Sequence, residues 1–240
     1  MSELARPGSG TMFDRIASRY DALNRIISLG IDRSWRRRAV ASLQLKSGDK
    51  ALDLATGTGD VVFEMLRQQR DVSIVGVDPS VRMLEVLERK LRMNGVHDVS
   101  FETGSAEELR FDDDTFDACC IAFGIRNVAD RAQGLREMAR VVRPGGKVAI
   151  LELSEPRTGV LSTLARFHMR NVVPFVGGLL SGSREYRYLQ QSIAAFPSPE
   201  EFAALMEASG LTVKTIQPLT FGVCCLYLAE PRQEVPEGAQ

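Results

Sequence analysis

Lys50-Ala-Leu-Asp-Leu-Ala-Thr-Gly-Thr-Gly-Asp60 reads as a buried strand running into a glycine turn, with a helix beginning near Asp60. Ala51, Leu52, Leu54 and Ala55 supply the apolar strand. Gly57 and Gly59 let the chain turn sharply and let a ligand lie against bare backbone. Val61, Val62, Phe63, Met65 and Leu66 continue as a helix. A second apolar run, Val72-Ser-Ile-Val-Gly-Val-Asp78, ends on an acid about 20 positions after the glycines. Strand, glycine turn, helix and acid-ended strand make a nucleoside-binding half-fold, in which the acid takes the ribose hydroxyls.

A dinucleotide site asks for a third glycine inside the helix, and that position is Val62. Asp53 and Asp60 add negative charge around the turn. Such acids suit a cationic cofactor better than one with two phosphates, which points to S-adenosylmethionine (SAM). The competing reading is a plain strand–helix–strand unit whose glycines only turn the chain.

At 240 residues, 44% hydrophobic and 25% charged, the chain is ordinary for a globular protein and long enough for one large α/β domain. A net charge of −1 gives no general attraction to nucleic acid. The four cysteines form two adjacent pairs, Cys119-Cys120 and Cys224-Cys225. With only two histidines beside them, no metal site is expected. Both pairs sit in apolar runs and read as buried, reduced core residues, which fits a cytoplasmic location. The first ten residues carry no apolar leader segment, so no secretory signal is expected.

From Met12, apolar residues recur at helical spacing: Phe13, Ile16, Ala17, Tyr20, Leu23, Ile27. Tyr20, Asp21 and Asn24 put polar groups on or beside that face, as a helix covering a cofactor site would. Asp32 is the expected cap of a second helix containing Trp35 and Arg36-Arg-Arg38. That arginine run reads as a solvated face, with anionic lipid as the sharper alternative. Pro79-Ser80 starts a helix that ends at Asn94-Gly95, and Val99–Glu102 is a third strand. Ser105 and Ala106, in the loop after it, are placed beside the base. Phe116–Gly124 is a fourth strand, buried on both faces. Arg126-Asn127 follows at its carboxyl end, where open α/β sheets hold their ligands. A pairing of Arg126 with a nearby acid is the structural alternative to a role in chemistry. Arg143–Gly146 reads as a turn and Lys147–Leu153 as strand five. Residues 154–195 mix apolar residues with Arg and Tyr and read as a lid over an apolar pocket. Pro199–Ser209 is a helix capped by Ser198. Two antiparallel strands follow, and residues 1–10 and 231–240 read as loose tails.

Five parallel strands plus a terminal hairpin, with a glycine loop after the first, resemble the class I SAM-dependent methyltransferase fold. This is a Rossmann-like, seven-stranded, mostly parallel sheet with an antiparallel last strand and helices on both faces. Tyr20-Asp-Ala-Leu-Asn24, with Ser28 and Trp35, resembles the N-terminal signature of the UbiE/MenG quinone C-methyltransferases. Arg126-Asn-Val128 with Leu135-Arg-Glu-Met-Ala-Arg-Val-Val-Arg-Pro-Gly-Gly146 resembles their second signature. Tyr186-Arg-Tyr-Leu-Gln-Gln-Ser-Ile193 looks like their lid segment. The resemblance covers about residues 12–229. It implies SAM contacts at Thr58, Asp78 and Ser105-Ala106, beside the loop residues Asp53, Gly57 and Gly59. A strand-four serine of some members is Ala122 here. The family's Ala-Leu-His in the last strand is Cys225-Leu226-Tyr227, which bears on substrate choice if that histidine touches it.

The resemblance implies methylation of a prenylated quinol ring carbon, with demethylmenaquinol to menaquinol the leading case and the ubiquinone-pathway benzoquinol the alternative. Arg126 and Asn127 would stabilise the oxyanion and hold a relay water, and Tyr20 would orient the ring. Peripheral contact with the inner face of the membrane is expected, and the reading leaves room for a homodimer. Two readings compete: a SAM methyltransferase for a small soluble substrate, and a nicotinamide-linked reductase. Against the reductase stand the missing third glycine and the lack of a Tyr-x-x-x-Lys pair.

Overall fold

The structure, a computed structural model, describes residues 13, 14, 17, 20–154 and 183–232. Helices α1 (Tyr20–Ile27) and α2 (Asp32–Leu43) precede β1 (Lys50–Leu54), α3 (Asp60–Gln68) and β2 (Ser73–Asp78). Next come α4 (Val81–Met93), β3 (Val99–Thr103), β4 (Phe116–Ala122), α5 (Arg131–Val141) and β5 (Val142–Leu153). The described chain closes with α6 (Ser183–Ala194), α7 (Pro199–Ala208), β6 (Leu211–Leu219) and β7 (Cys224–Pro231).

One sheet of seven strands runs β3-β2-β1-β4-β5-β7-β6. The first five are mutually parallel, and β7 inserts antiparallel to both β5 and β6. The inner strands are near-continuous apolar runs because helices cover both faces. On one face α2, α3 and α4 pack Trp35, Val40, Val62, Met65 and Leu87. On the other, α5 and α7 pack Leu135, Met138, Phe202 and Met206. Strand order reverses between β1 and β4, which leaves a crevice at their carboxyl ends. All four cysteines are buried and free, as expected.

Helix starts follow the sequence signals. The Ser80 side chain accepts from Met83 N at 3.2 Å, and Ser198 and Glu201 form a reciprocal capping box. Each such cap contributes about 1 kcal/mol. Asp32 differs from expectation. It lies inside the first turn of α2, and its carboxylate accepts from Ser28 Oγ at 2.7 Å and pairs with Arg36. Arg36 is therefore buried and not solvated. Its guanidinium lies 3.8 Å from Asp60 and 4.9 Å over the Phe123 ring. A run of three arginines on a helix cannot all face water once the helix lies on a sheet. Arg37 and Arg38 stay outside.

Strand β5 begins at Val142, earlier than Lys147, because Val142 pairs with Phe116 before a register shift carries the ladder on at Ala118 and Lys147. Pro231 is not tail: it pairs with Leu211, and Arg232 N donates to Gly210 O. Of the expected lid, residues 155–182 lie outside the described residues.

Candidate active site

The β1 turn places the Gly57 N–H 2.8 Å from Asp78 Oδ2, across from the end of β2. Ser80 N donates to Asp78 Oδ1, also at 2.8 Å. Each carboxylate oxygen thus accepts one backbone N–H, which fixes the carboxylate and leaves lone pairs for further donors. Burial pushes the Asp78 pKa up to about 6; Asp14 adds to the rise, and the two N–H groups oppose it. At Gly57 (φ +55) an added Cβ would meet nothing nearer than Ala55 O at 3.9 Å. That leaves a bare backbone cradle beside a ribose-type acid. Gly59 differs: an added Cβ would lie 2.3 Å from Leu87 Cδ1, so this glycine lets α4 approach the turn.

Both strand ends at the crevice are strained. Ala55 and Phe123 have φ of 51° and 60°, a region costly for residues with a Cβ. Gly124 abuts Ala55 so closely that an added Cβ would lie 2.5 Å from the Ala55 Cβ. These two bends open a cavity of about 560 Å³, inside the ~300–1,000 Å³ range of small-molecule sites.

Beyond the cradle, β4 leads into a short 3-10 turn, Ile125–Asn127. Arg126 is 9% exposed. Its Nη1 donates to Glu152 Oε1 at 2.7 Å and to Phe123 O at 2.6 Å, and its backbone N donates to Glu152 Oε2 at 3.1 Å. Burial opposes the Arg126 charge, but Glu152, Tyr20 and Tyr188 together outweigh it and the pKa rises above the ordinary arginine value. The guanidinium Nε is buried and has no hydrogen-bond partner among the described residues. Tyr188 on α6 donates its hydroxyl to Asn127 Oδ1 at 2.9 Å. Arg131 Nη2 donates to Arg126 O at 3.0 Å, and its guanidinium lies 5.3 Å over the Phe196 ring.

The sequence model of the ubiE/COQ5 methyltransferase family matches residues 3–230. The chain belongs to this family. It is 46% identical over 221 residues to the ubiquinone/menaquinone biosynthesis C-methyltransferase UbiE of Geobacter sulfurreducens, covering 91% of this chain and 86% of that one. It is 42% identical over 222 residues to the demethylmenaquinone methyltransferase of Deinococcus radiodurans, covering 92% and 91%. Among solved structures, the [4+2]-cyclase SpnF aligns with a TM-score of 0.69 at 14% identity, over 93% of this chain and 96% of that one. A SAM-dependent methyltransferase from Aquifex aeolicus aligns with a TM-score of 0.60 at 17% identity, over 81% and 88%. At these identities the structural likeness concerns the fold.

Eight of the residues singled out from the sequence border this cavity. Gly57, Asp78, Ser105 and Ala106 stand at the cradle end; Ala122, Arg126, Asn127 and Tyr20 complete the wall. Asp53, Thr58 and Gly59 are not among the lining residues. Asp53 sits 1% exposed beneath the turn, accepting from Thr56 Oγ1 at 2.6 Å, and burial drives its pKa to about 7. The Thr58 hydroxyl is held by Asp21 at 2.5 Å. Phe13, Arg131 and the buried partner Glu152 were not picked out from sequence. A charged residue inside the apolar run Val148–Leu153 was the available signal for Glu152.

Tyr227, at the family's histidine position, is fully buried and does not line the cavity. It packs edge-on to Phe202, with centroids 5.0 Å apart, and its hydroxyl meets only the Cys225 thiol among the described residues. The departure from the family pattern therefore falls on core packing between β7 and α7.

Proposed function

We propose that this chain transfers the SAM methyl group to a ring carbon of a prenylated quinol, with demethylmenaquinol the leading substrate. One observation carries the reading. A single cavity joins a bare glycine cradle and a fixed acid at one end to a buried, acid-paired arginine at the other. Menaquinone stands in the names of both relatives above and ubiquinone in that of the first, which supports a prenylated quinol substrate of either ring.

The residues present fit SAM. Gly57 leaves room against backbone, Asp78 accepts the ribose hydroxyls, and Ser105 and Ala106 border the base. Asp53 supports the turn through Thr56. Ala122 and Ala55 keep the floor shallow. When bound, SAM supplies a methyl group on a positively charged sulfur, so the protein's task is chiefly to align the ring carbon with it.

At the far end Arg126 stays protonated beside Glu152 and acts as a donor, not a base. Its unpartnered Nε makes it a fitting partner for the quinol oxyanion, whose negative charge raises electron density on the neighbouring ring carbon. Asn127 already accepts from Tyr188, which fixes the direction of its amide. The described lining carboxylates are engaged: Asp78 by two backbone N–H groups, Glu107 by Ser105 Oγ and Asp130 N. In this reading a water oriented by Arg126 and Asn127 takes the ring proton. Tyr20 flanks the ring from α1.

Membrane contact supports delivery of such a substrate. Leu29 and Phe221 are 71% and 61% exposed, and Arg33, Arg37 and Arg38 are exposed on α2. Among the described residues no helix is long and apolar enough to cross a membrane. Co-sedimentation with anionic but not neutral vesicles at low salt is expected; no co-sedimentation removes this contact.

The deciding experiment is transfer of labelled methyl from SAM to short-chain demethylmenaquinol and to the matching demethylated benzoquinol under reducing conditions. Faster labelling of the naphthoquinol is expected. Labelling of neither quinol, with SAM still bound, overturns the substrate reading.

A further inference from the structure

We infer that Asp21, with Asp14 as its counterpart, is a positioning residue that clasps the N-terminal segment onto the cofactor cradle and sets the rate at which adenosyl ligand leaves. The inference rests on the proposed SAM site.

Asp21 lies in the first turn of α1, next to the cavity-lining Tyr20. Its Oδ1 accepts from the Thr58 hydroxyl at 2.5 Å, and its Oδ2 lies 2.6 Å from Lys90 Nζ on α4. Lys90 Nζ also donates to Thr58 O at 3.0 Å and lies 3.7 Å from Asp60. Thr58 is thus held at both its hydroxyl and its carbonyl, one residue after the Gly57 N–H that meets Asp78. Burial of Asp21 opposes its charge, but the bonds from Lys90 and Thr58 outweigh it and hold its pKa below the ordinary carboxyl value. The carboxylate is therefore charged at neutral pH.

Asp14 does the same at the other edge of the cradle. Its Oδ1 accepts from Ser80 Oγ at 2.6 Å and from Arg82 N at 3.2 Å. Ser80 N is the second donor to Asp78. Asp21 therefore grips the residue next to one donor that fixes Asp78, and Asp14 grips the other donor residue itself. Phe13 and Tyr20, each one residue before a gripping acid, line the cavity and meet edge to face with centroids 6.2 Å apart. With both clasps made, these two rings wall the ligand in. Ligand exchange then requires a clasp to open, and opening steps of this kind limit turnover in many enzymes.

The test uses the full chain and S-adenosylhomocysteine, with dissociation followed by stopped flow. Asp21→Ala, Asp14→Ala and Thr58→Val are each expected to release ligand about ten- to a hundredfold faster, the loss of one charge-assisted hydrogen bond. Asp21→Ala combined with Thr58→Val should release no more than about twofold faster than Asp21→Ala alone, because the two act as one unit. General loosening would instead add the two effects. Wild-type binding with unchanged release in Asp21→Ala and Asp14→Ala overturns the clasp and leaves the proposed function standing. A wild type that binds no adenosyl ligand overturns the proposed cofactor site instead. The clasp is then decided by hydrogen exchange of residues 20–27, which must speed up in Asp21→Ala; unchanged exchange overturns it.

Discussion

Arg126 Nη1 and Glu152 Oε1 lie 2.7 Å apart, with both side chains buried and the two residues 26 positions apart in the chain. The pair joins the end of β4 to the end of β5 and holds the arginine at the cavity wall. The ion-paired residue and the proposed oxyanion donor are thus the same arginine, and the two readings of Arg126 do not exclude each other.

That pairing changes how Arg126 is to be tested. Removing either partner leaves an uncompensated buried charge, at a cost of about 3–5 kcal/mol. Glu152→Gln is expected to lower stability on that order and to cut turnover at least ~10-fold, with SAM affinity held within ~3-fold. Denaturant melts with calorimetric SAM titration check this. Unchanged turnover would remove Arg126 from the chemistry, since its orientation depends on Glu152.

Two glycines one residue apart should fail differently. Gly59→Ala drives a methyl to 2.3 Å from Leu87 Cδ1 at φ +88, so a stability loss of about 2–4 kcal/mol is expected. Gly57→Ala meets open space at φ +55, so strain alone costs about 1 kcal/mol. The new methyl in the cradle should weaken SAM at least ~10-fold, about 1.4 kcal/mol of affinity. Equal melting temperatures for the two variants would contradict the different roles given to them.

The titration of Asp78 should show in cofactor affinity. A carboxyl with a raised folded-state pKa holds its proton more tightly folded than unfolded. Its favourable contribution to stability is present below the ordinary carboxyl range and is lost as pH rises through about 6. Accepting from ribose hydroxyls asks for the ionised form. SAM affinity should therefore rise through that same window, by roughly tenfold between pH 5 and 7. Asp78→Asn should bind more weakly at pH 7 and lose this dependence. Calorimetry across that pH range on both proteins decides it, and parallel profiles would place the titrating group elsewhere.

Tyr227 tests whether the last strand bears on substrate. Its buried hydroxyl meets only the Cys225 thiol among the described residues, a weak hydrogen-bonding group, so Tyr227→Phe should change stability by no more than about 1 kcal/mol. The preference between the two quinol rings should not move. A changed ratio of the two methylation rates would show that packing at β7 reaches the cavity after all.

Much of the fold was legible because it is written in local patterns. The glycine turn after β1, the acid ending β2, the apolar run of β4 and the Ser80 and Ser198 caps all follow from spacing within a few residues. The family signatures likewise marked Asp78, Arg126 and Asn127, which the cavity brings together.

What the sequence by itself determined is the half-fold and the residues facing the crevice, because burial periodicity and turn chemistry act over short range. Only the tertiary structure decided who partners whom. Glu152 reaches Arg126 because β5 lies beside β4, Asp21 reaches Thr58 across 37 residues because α1 returns over the turn, and Arg36 is drawn inside because α2 lies on the sheet. Those pairings depend on strand order and on which helix covers which face. Long-range packing sets both, and no window of neighbouring residues records it.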